Sequence, residues 1–215
     1  MSVLIFDMDG VLVDVSDSYR ATIAATVRHF TGREISRELI QEYKNAGGWN
    51  NDWGLSRKLI SDVGQLDVPE DEVVAIFQEH FLGRNNDGLI RHERWLPEVG
   101  LLERLAVKHQ LAIFTGRPRA EVNVTLSRFS PDVPWQTIIA DGDVANAKPA
   151  PDGLLAIASA HGHTVTAYVG DTVDDARSAR IAGVRFIGVS SSRELLQAEG
   201  AAAVIENINE IEKVL

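Results

Sequence analysis

Two short segments of the chain concentrate carboxylates, Asp7-Met8-Asp9-Gly10 and Gly170-Asp171-Thr172-Val173-Asp174-Asp175. Alone, the first reads as a strand-to-loop turn in which carboxylates cap exposed backbone donors and Gly10 supplies the tight bend. Two further segments change that reading: Phe114-Thr115-Gly116 and Lys148-Pro149 also follow short apolar runs. If those runs are neighbouring parallel strands, all four segments share one sheet edge, where doubly wound sheets bind ligands. Asp7, Asp9, Asp171 and either Asp174 or Asp175 would repel one another there, and all of them could not ionise cheaply. A divalent cation resolves the conflict. Oxygen-only donors beside Thr and Lys suit Mg²⁺, which takes a few carboxylates, waters and a phosphate oxygen. The Thr115 hydroxyl and the Lys148 ammonium can hold the remaining phosphate oxygens, the charge balance that phosphoryl transfer requires.

The elements that must position these groups are legible as a βα alternation. Strands are expected at Val3–Phe6, Leu111–Phe114, Thr137–Ala140, Ala167–Val169 and Arg185–Val189, with Ala202–Ile205 a possible sixth. Helical periodicity lies between them. Val99, Leu102 and Leu105 mark one face, Val122, Leu126 and Phe129 another, and Asp152 to Ala160 and Asp174 to Ala182 two more, the last stopped by Gly183. From Ser16 to His92 no strand is evident. Tyr19, Ile23, Val27 and Phe30 line one helix, Leu55, Leu59 and Val63 a second, and Val74, Phe77 and Phe81 a third, with a weaker one over Ser36 to Tyr43. The expected class is therefore α/β, a central parallel sheet in a core of residues 1–15 and 95–215, interrupted by an all-helical insertion over 16–94.

In order and strand position, Asp7-Met8-Asp9-Gly10-Val11-Leu12-Val13-Asp14, Thr115, Lys148-Pro149 and Gly170-Asp171-Thr172-x-x-Asp175 resemble the motifs of the haloacid dehalogenase superfamily, subfamily I, over essentially the whole chain. The resemblance implies a Rossmann-like core and makes the insertion a cap domain. It implies a Mg²⁺-dependent phosphatase for a small organic phosphate monoester, in which Asp7 is the nucleophile that forms an aspartyl-phosphate. Asp9 would protonate the leaving alcohol and then deprotonate water. Asp7, Asp171 and the main-chain carbonyl of Asp9 would bind Mg²⁺, with Asp175 one step behind, while Thr115 and Lys148 bind phosphate and Lys148 orients Asp7. A halide leaving group needs no second Asp, so dehalogenation is disfavoured. Gly116 and Arg117 join the substrate candidates, Arg117 as a possible partner for a second anionic group. In the insertion, Arg20 and the loop Lys44-Asn45-Ala46-Gly47-Gly48-Trp49-Asn50-Asn51-Asp52-Trp53 resemble a selectivity element, with Asn50 the chosen contact. The alternative is a phosphomutase of the β-phosphoglucomutase type, although Gly-Arg-Pro-Arg after Thr115 departs from a Ser-rich mutase loop. A non-catalytic phospho-acceptor fits less well, because its phosphorylated Asp lies on a later strand.

Composition narrows the classes further. Of 215 residues 45% are hydrophobic, which is ordinary for a globular protein. A net charge of −10 disfavours broad nucleic-acid or anionic-membrane binding. There is no cysteine, which removes thiol nucleophiles, disulfides and cysteine-ligated metals. The opening apolar run of four residues has no basic flank and reads as neither signal nor transit peptide, so a cytoplasmic location is expected. His29, His80, His92, His109, His161 and His163 fall outside the motifs and are expected in surface or loop roles. Gly47-Gly48 lacks the Lys-Ser/Thr of a phosphate-binding loop. The expected partner is a small phosphorylated metabolite, with oligomeric state open.

Overall fold

The computed structural model describes residues 1–130, 132–190 and 193–215. The chain divides into two compact units, one of Met1–Val13 with Trp95–Leu215 and one of Asp14–Arg94.

The first unit is built on six parallel strands, β1 (Val3–Phe6), β4 (Gln110–Pro118), β5 (Trp135–Asp141), β6 (Val165–Gly170), β7 (Phe186–Val189) and β8 (Ala203–Ile205), in the spatial order β5-β4-β1-β6-β7-β8. Val13–Asp14 and Arg94–Trp95, β2 and β3, form a separate two-stranded ladder. All four residues of β1 are buried, as expected of a central strand covered on both faces. Val3 and Ile5 pack with Ala112, Phe114, Tyr168 and Phe186 against Leu154 and Ile157 of α7 (Asp152–Ala160), Ala176 and Ala179 of α8 (Val173–Ala182), and Leu196 of α9 (Arg193–Ala198). Leu4 and Phe6 alternate to the other face, where the Phe6 ring meets Trp135 edge-on with centroids 6.2 Å apart. The chain leaves β1 toward β4 and β5, returns to β6 and continues outward to β8, so the order reverses beside β1. That reversal opens a crevice at the carboxyl ends of β1, β4 and β6.

Sequence periodicity misplaces one helix start. Val99 lies ahead of α5 (Leu101–Lys108) and is fully exposed, because Gly100 in the left-handed conformation turns the chain just before the helix.

The second unit is helical: α1 (Tyr19–Thr31), α2 (Arg37–Ala46), α3 (Asp52–Gly64), α4 (Glu70–Phe81) and a short 3₁₀ turn over Leu89–His92. Tyr19, Ile23 and Val27 form the buried stripe of α1, whose Thr22 and Thr26 hydroxyls donate back to Ser18 O and Thr22 O at 2.8 Å each. The Tyr19 ring lies 4.1 Å from that of Phe81. On α4 the innermost residues are Val73, Phe77 and Phe81 rather than Val74, which is half-buried one position along. Ser36 caps α2 and Asn51 caps α3 through their side-chain oxygens.

Candidate active site

At the end of β1 the Asp7 N–H still donates to Val169 O at 2.8 Å, which extends the ladder one residue past the strand. The chain then turns tightly: the Met8 carbonyl accepts from the N–H groups of Leu12 (2.8 Å) and Val13 (2.9 Å). Gly10 sits at φ 72° within this turn, and a Cβ there would run into the Asp171 carboxylate. Glycine thus lets the first and last acidic segments approach. Gly170 works similarly, since a Cβ on it would lie 2.6 Å from the Cβ of Asp175.

Lys148 reaches the same point from the connection between β5 and α7. Its side chain is 1% exposed, with Nζ 2.9 Å from Asp7 Oδ1 and 2.7 Å from Asp175 Oδ1. The ammonium also lies over the rings of Phe114 and Tyr168, 4.8 and 5.4 Å from their centroids, so aromatic faces replace water around the charge. Asp175 is engaged on both oxygens. Oδ1 accepts from Lys148 and from Tyr168 Oη (2.6 Å), while Oδ2 accepts from the Thr172 hydroxyl (2.6 Å), Thr172 N (3.0 Å) and Asp171 N (3.3 Å). Thr172 returns the contact by accepting from Asp175 N, a capping box that starts α8. Asp175 therefore fastens the Asp171 loop, the helix start and Lys148 together.

Asp7, Asp171 and Asp175 each bring a carboxylate oxygen within 4.8 Å of the others. Burial, reinforced by the charges of Asp175 and Asp9, pushes the Asp7 carboxyl up to about 7 although Lys148 pulls it down. Burial acts against the Lys148 ammonium, but Asp175 and Asp7 outweigh it and hold its affinity for the proton above the ordinary lysine value. Burial likewise opposes the Asp175 charge, and Lys148 with the Thr172 and Tyr168 hydroxyls overcomes it, so this carboxyl titrates below its ordinary value. One ammonium thus satisfies Asp175 and leaves Asp7 short of positive charge. A hard divalent cation held by oxygen donors fits that deficit, and the donor set Asp7, Asp171 and the neighbouring backbone is of the right chemistry.

Thr115 is buried at the end of β4, where its Oγ1 accepts from the Arg117 N–H at 3.3 Å, and Gly116 lies between them. Arg117, expected to steer a second anionic group, is instead 1% exposed. Its Nε donates to Asp9 Oδ1 at 2.7 Å and a second guanidinium nitrogen pairs with the same oxygen. Asp174 is buried one residue before Asp175, and its charge is felt by Arg177. Arg20 on α1 and Asn50 between α2 and α3 belong to the helical unit. Sequence reading missed Tyr168, whose only signal was a hydroxyl-bearing ring in an otherwise apolar strand two residues before Gly170-Asp171.

The model of the haloacid dehalogenase-like hydrolases matches residues 4–189, a span that includes all of these groups. The chain belongs to that family. A Phytophthora nicotianae protein named imidazoleglycerol-phosphate dehydratase is 38% identical over 196 residues, 86% of this hydrolase, and the chain spans 42% of that relative's length. A Pseudomonas putida phosphoglycolate phosphatase is 22% identical over 218 residues, covering 95% of this chain and 76% of the relative. Among solved structures, a Bacteroides fragilis haloacid dehalogenase-like hydrolase superposes with a TM-score of 0.80 at 22% identity, over 98% of this chain and 99% of the other. A β-phosphoglucomutase-type structure from Thermotoga maritima gives 0.73 at 20% identity, with both chains covered completely. At these identities the structural matches establish the fold alone. Among the described residues no helix is long and apolar enough to cross a membrane.

Proposed function

We propose that this hydrolase is a Mg²⁺-dependent phosphatase that cleaves a small phosphate monoester through an aspartyl-phosphate on Asp7. The observation that carries the reading is the placement of Lys148, buried between Asp7 and Asp175, beside a carboxylate that still lacks positive charge. Asp7 and Asp171 side chains with the Asp9 carbonyl would hold the cation, which supplies positive charge to the phosphoryl oxygens. Lys148 and Thr115 bind the remaining oxygens and keep Asp7 aimed at phosphorus. An Asp7 carboxylate oxygen forms a bond to phosphorus as the ester P–O bond breaks, and Asp9 gives its proton to the departing alkoxide. Water then attacks the same phosphorus, Asp9 takes its proton, and the bond to Asp7 breaks to release phosphate. Ester plus water becomes alcohol plus phosphate, and both carboxyl groups return to their starting states.

Selectivity among esters is assigned to the helical unit of Asp14–Arg94 acting as a cap, with Arg20 and Asn50 as its candidate substrate contacts. The test is phosphate release from a panel that takes in phosphoglycolate, hexose phosphates and imidazoleglycerol phosphate, with Mg²⁺ or EDTA, for the natural protein beside Asp7→Asn. The expected result is Mg²⁺-dependent release from at least one ester, abolished in Asp7→Asn. Sugar-phosphate interconversion primed by a bisphosphate, without net release, would assign a phosphomutase instead.

A further inference from the structure

In the phosphatase reading, Asp9 handles the proton in both half-reactions, yet it sits on a loop with its side chain about a third exposed, 31%. An unrestrained aspartate samples several rotamers, and a group that must meet first an alkoxide and then a water gains from being held in one. The structure contains a device suited to that. Arg117 leaves the end of β4 as one of the largest fully buried side chains of the molecule, so it is closed off from a substrate. Its Nε and a second nitrogen grip Asp9 Oδ1, while Nη1 donates to the Thr125 hydroxyl at 2.9 Å on α6 (Arg119–Phe129). Its backbone N–H meanwhile donates to Thr115 Oγ1 at 3.3 Å. One residue therefore ties the Asp9 loop, the end of β4 at Thr115 and α6 into a single piece. A planar guanidinium fixes direction as well as distance, and burial keeps solvent and salt from weakening the grip.

We propose that Arg117 is a positioning residue for Asp9, holding Oδ1 so that the proton is carried on Oδ2, the oxygen left to face the reacting groups. The inference rests on the phosphatase reading above. With Oδ1 accepting from Arg117 Nε and ion-paired with the same guanidinium, the proton given to the leaving oxygen departs from Oδ2, and the proton taken from water returns to it. No other group need enter the balance.

The test compares the natural protein, Arg117→Lys and Arg117→Met on p-nitrophenyl phosphate, whose leaving group departs without a proton, and on an alkyl phosphate. On the alkyl ester kcat is expected to fall about 10-fold in Arg117→Lys and about 100-fold in Arg117→Met, with KM within about 3-fold of natural, the loss expected when a proton-transfer group is mispositioned. On p-nitrophenyl phosphate the variants are expected to show a burst of about one p-nitrophenol per site before a slow phase, because phosphorylation of Asp7 survives while water activation does not. Adding Arg117→Met to Asp9→Asn is expected to cost nothing further. A merely structural role would lower the thermal midpoint without a burst. A rise in KM with kcat retained, or folded variants with natural kcat, would overturn the inference. If Arg117→Met fails to fold by circular dichroism, the Arg117→Lys values decide. A natural protein inactive on every ester sinks the phosphatase reading itself, whereas an active one with unaltered variants sinks this inference alone.

Discussion

The two ends of the same parallel sheet are both stitched by side-chain hydrogen bonds, but with opposite kinds of group. At the carboxyl end, Lys148 and Arg117 are buried against Asp7, Asp175 and Asp9. At the amino end the partners are neutral or weakly basic. His161, which follows α7, bridges Gln110 Oε1 at 2.5 Å and Thr137 Oγ1 at 2.9 Å, and His109, which follows α5, lies 3.2–3.3 Å from the hydroxyls of Thr166 and Ser2. Both sets tie adjacent strands, so joining strands does not require buried charge. Replacing a buried ion pair with apolar groups is often neutral or stabilising, which makes the charged edge a cost that stability alone does not explain. On the proposed phosphatase reading, those charges serve a reacting group that is itself a phosphate anion.

The sharpest break in the comparison is chemical. Asp7→Asn removes the proposed nucleophile and is expected to lower phosphate release on the order of 10⁴-fold or more while circular dichroism stays unchanged. Lys148→Met tests the charge itself. It leaves Asp7 and Asp175 buried together without their shared cation, and urea denaturation is expected to show a loss of about 3–5 kcal/mol. A folded, unweakened Lys148→Met protein would mean that the carboxylates find another counter-charge.

The pH dependence separates the ends next. Asp7 titrates at about 7 when folded against 3.8 in the unfolded reference, because burial and neighbouring carboxylates disfavour its charge. The raised value means that its contribution is fully present below about pH 4 and is lost as pH rises through 7. Without divalent cation the protein is expected to lose roughly 2–4 kcal/mol of stability over that window. Asp7→Asn should flatten the curve, and millimolar Mg²⁺ should restore stability at pH 8 by binding the folded form. A cation-free curve that is flat in the natural protein would remove the argument for a charge deficit at Asp7.

What the sequence made legible follows the same division. Each polar segment alone has the composition of an ordinary turn, but the charged edge announced itself because four of them follow successive apolar runs in an order that places them on neighbouring strands. Arg117 was visible as a residue but not as a partner of Asp9, since 108 positions separate them and only the packing of β4 against β1 decides which way the side chain runs. The amino edge was nearly silent. His109 and His161 carry no motif, and their partners lie up to 107 residues away in sequence. Helix α9, the 3₁₀ turns and the β2–β3 ladder were also missed, each too short for periodicity to register.

His161→Phe addresses the amino end directly. It removes two hydrogen bonds from half-buried groups that water can partly recover, so stability is expected to fall by about 1 kcal/mol and phosphate release to stay within about twofold. A large loss of activity would mean that the two ends of the sheet are coupled.

The smallest effect is also the one with the opposite sign. Burial, then the nearby Lys108 charge, lowers the pKa of His109 below the ordinary histidine value. A lowered value means that its contribution is present above the unfolded pKa of 6.5 and is lost as pH falls through the folded one. Much of the ring remains in water, so the effect is discounted to within about 0.5 kcal/mol. Acidifying from pH 7 to 5 should therefore weaken the amino edge slightly, in the same interval in which protonation of Asp7 relieves the carboxyl edge. The two slopes are separable by substitution. Asp7→Asn exposes the acid-side loss, and adding His109→Asn removes it, as read from thermal midpoints between pH 5 and 7. If the double variant still loses stability on acidification, the histidine is not its source, and the neutral character assigned to that end of the sheet rests on some other group.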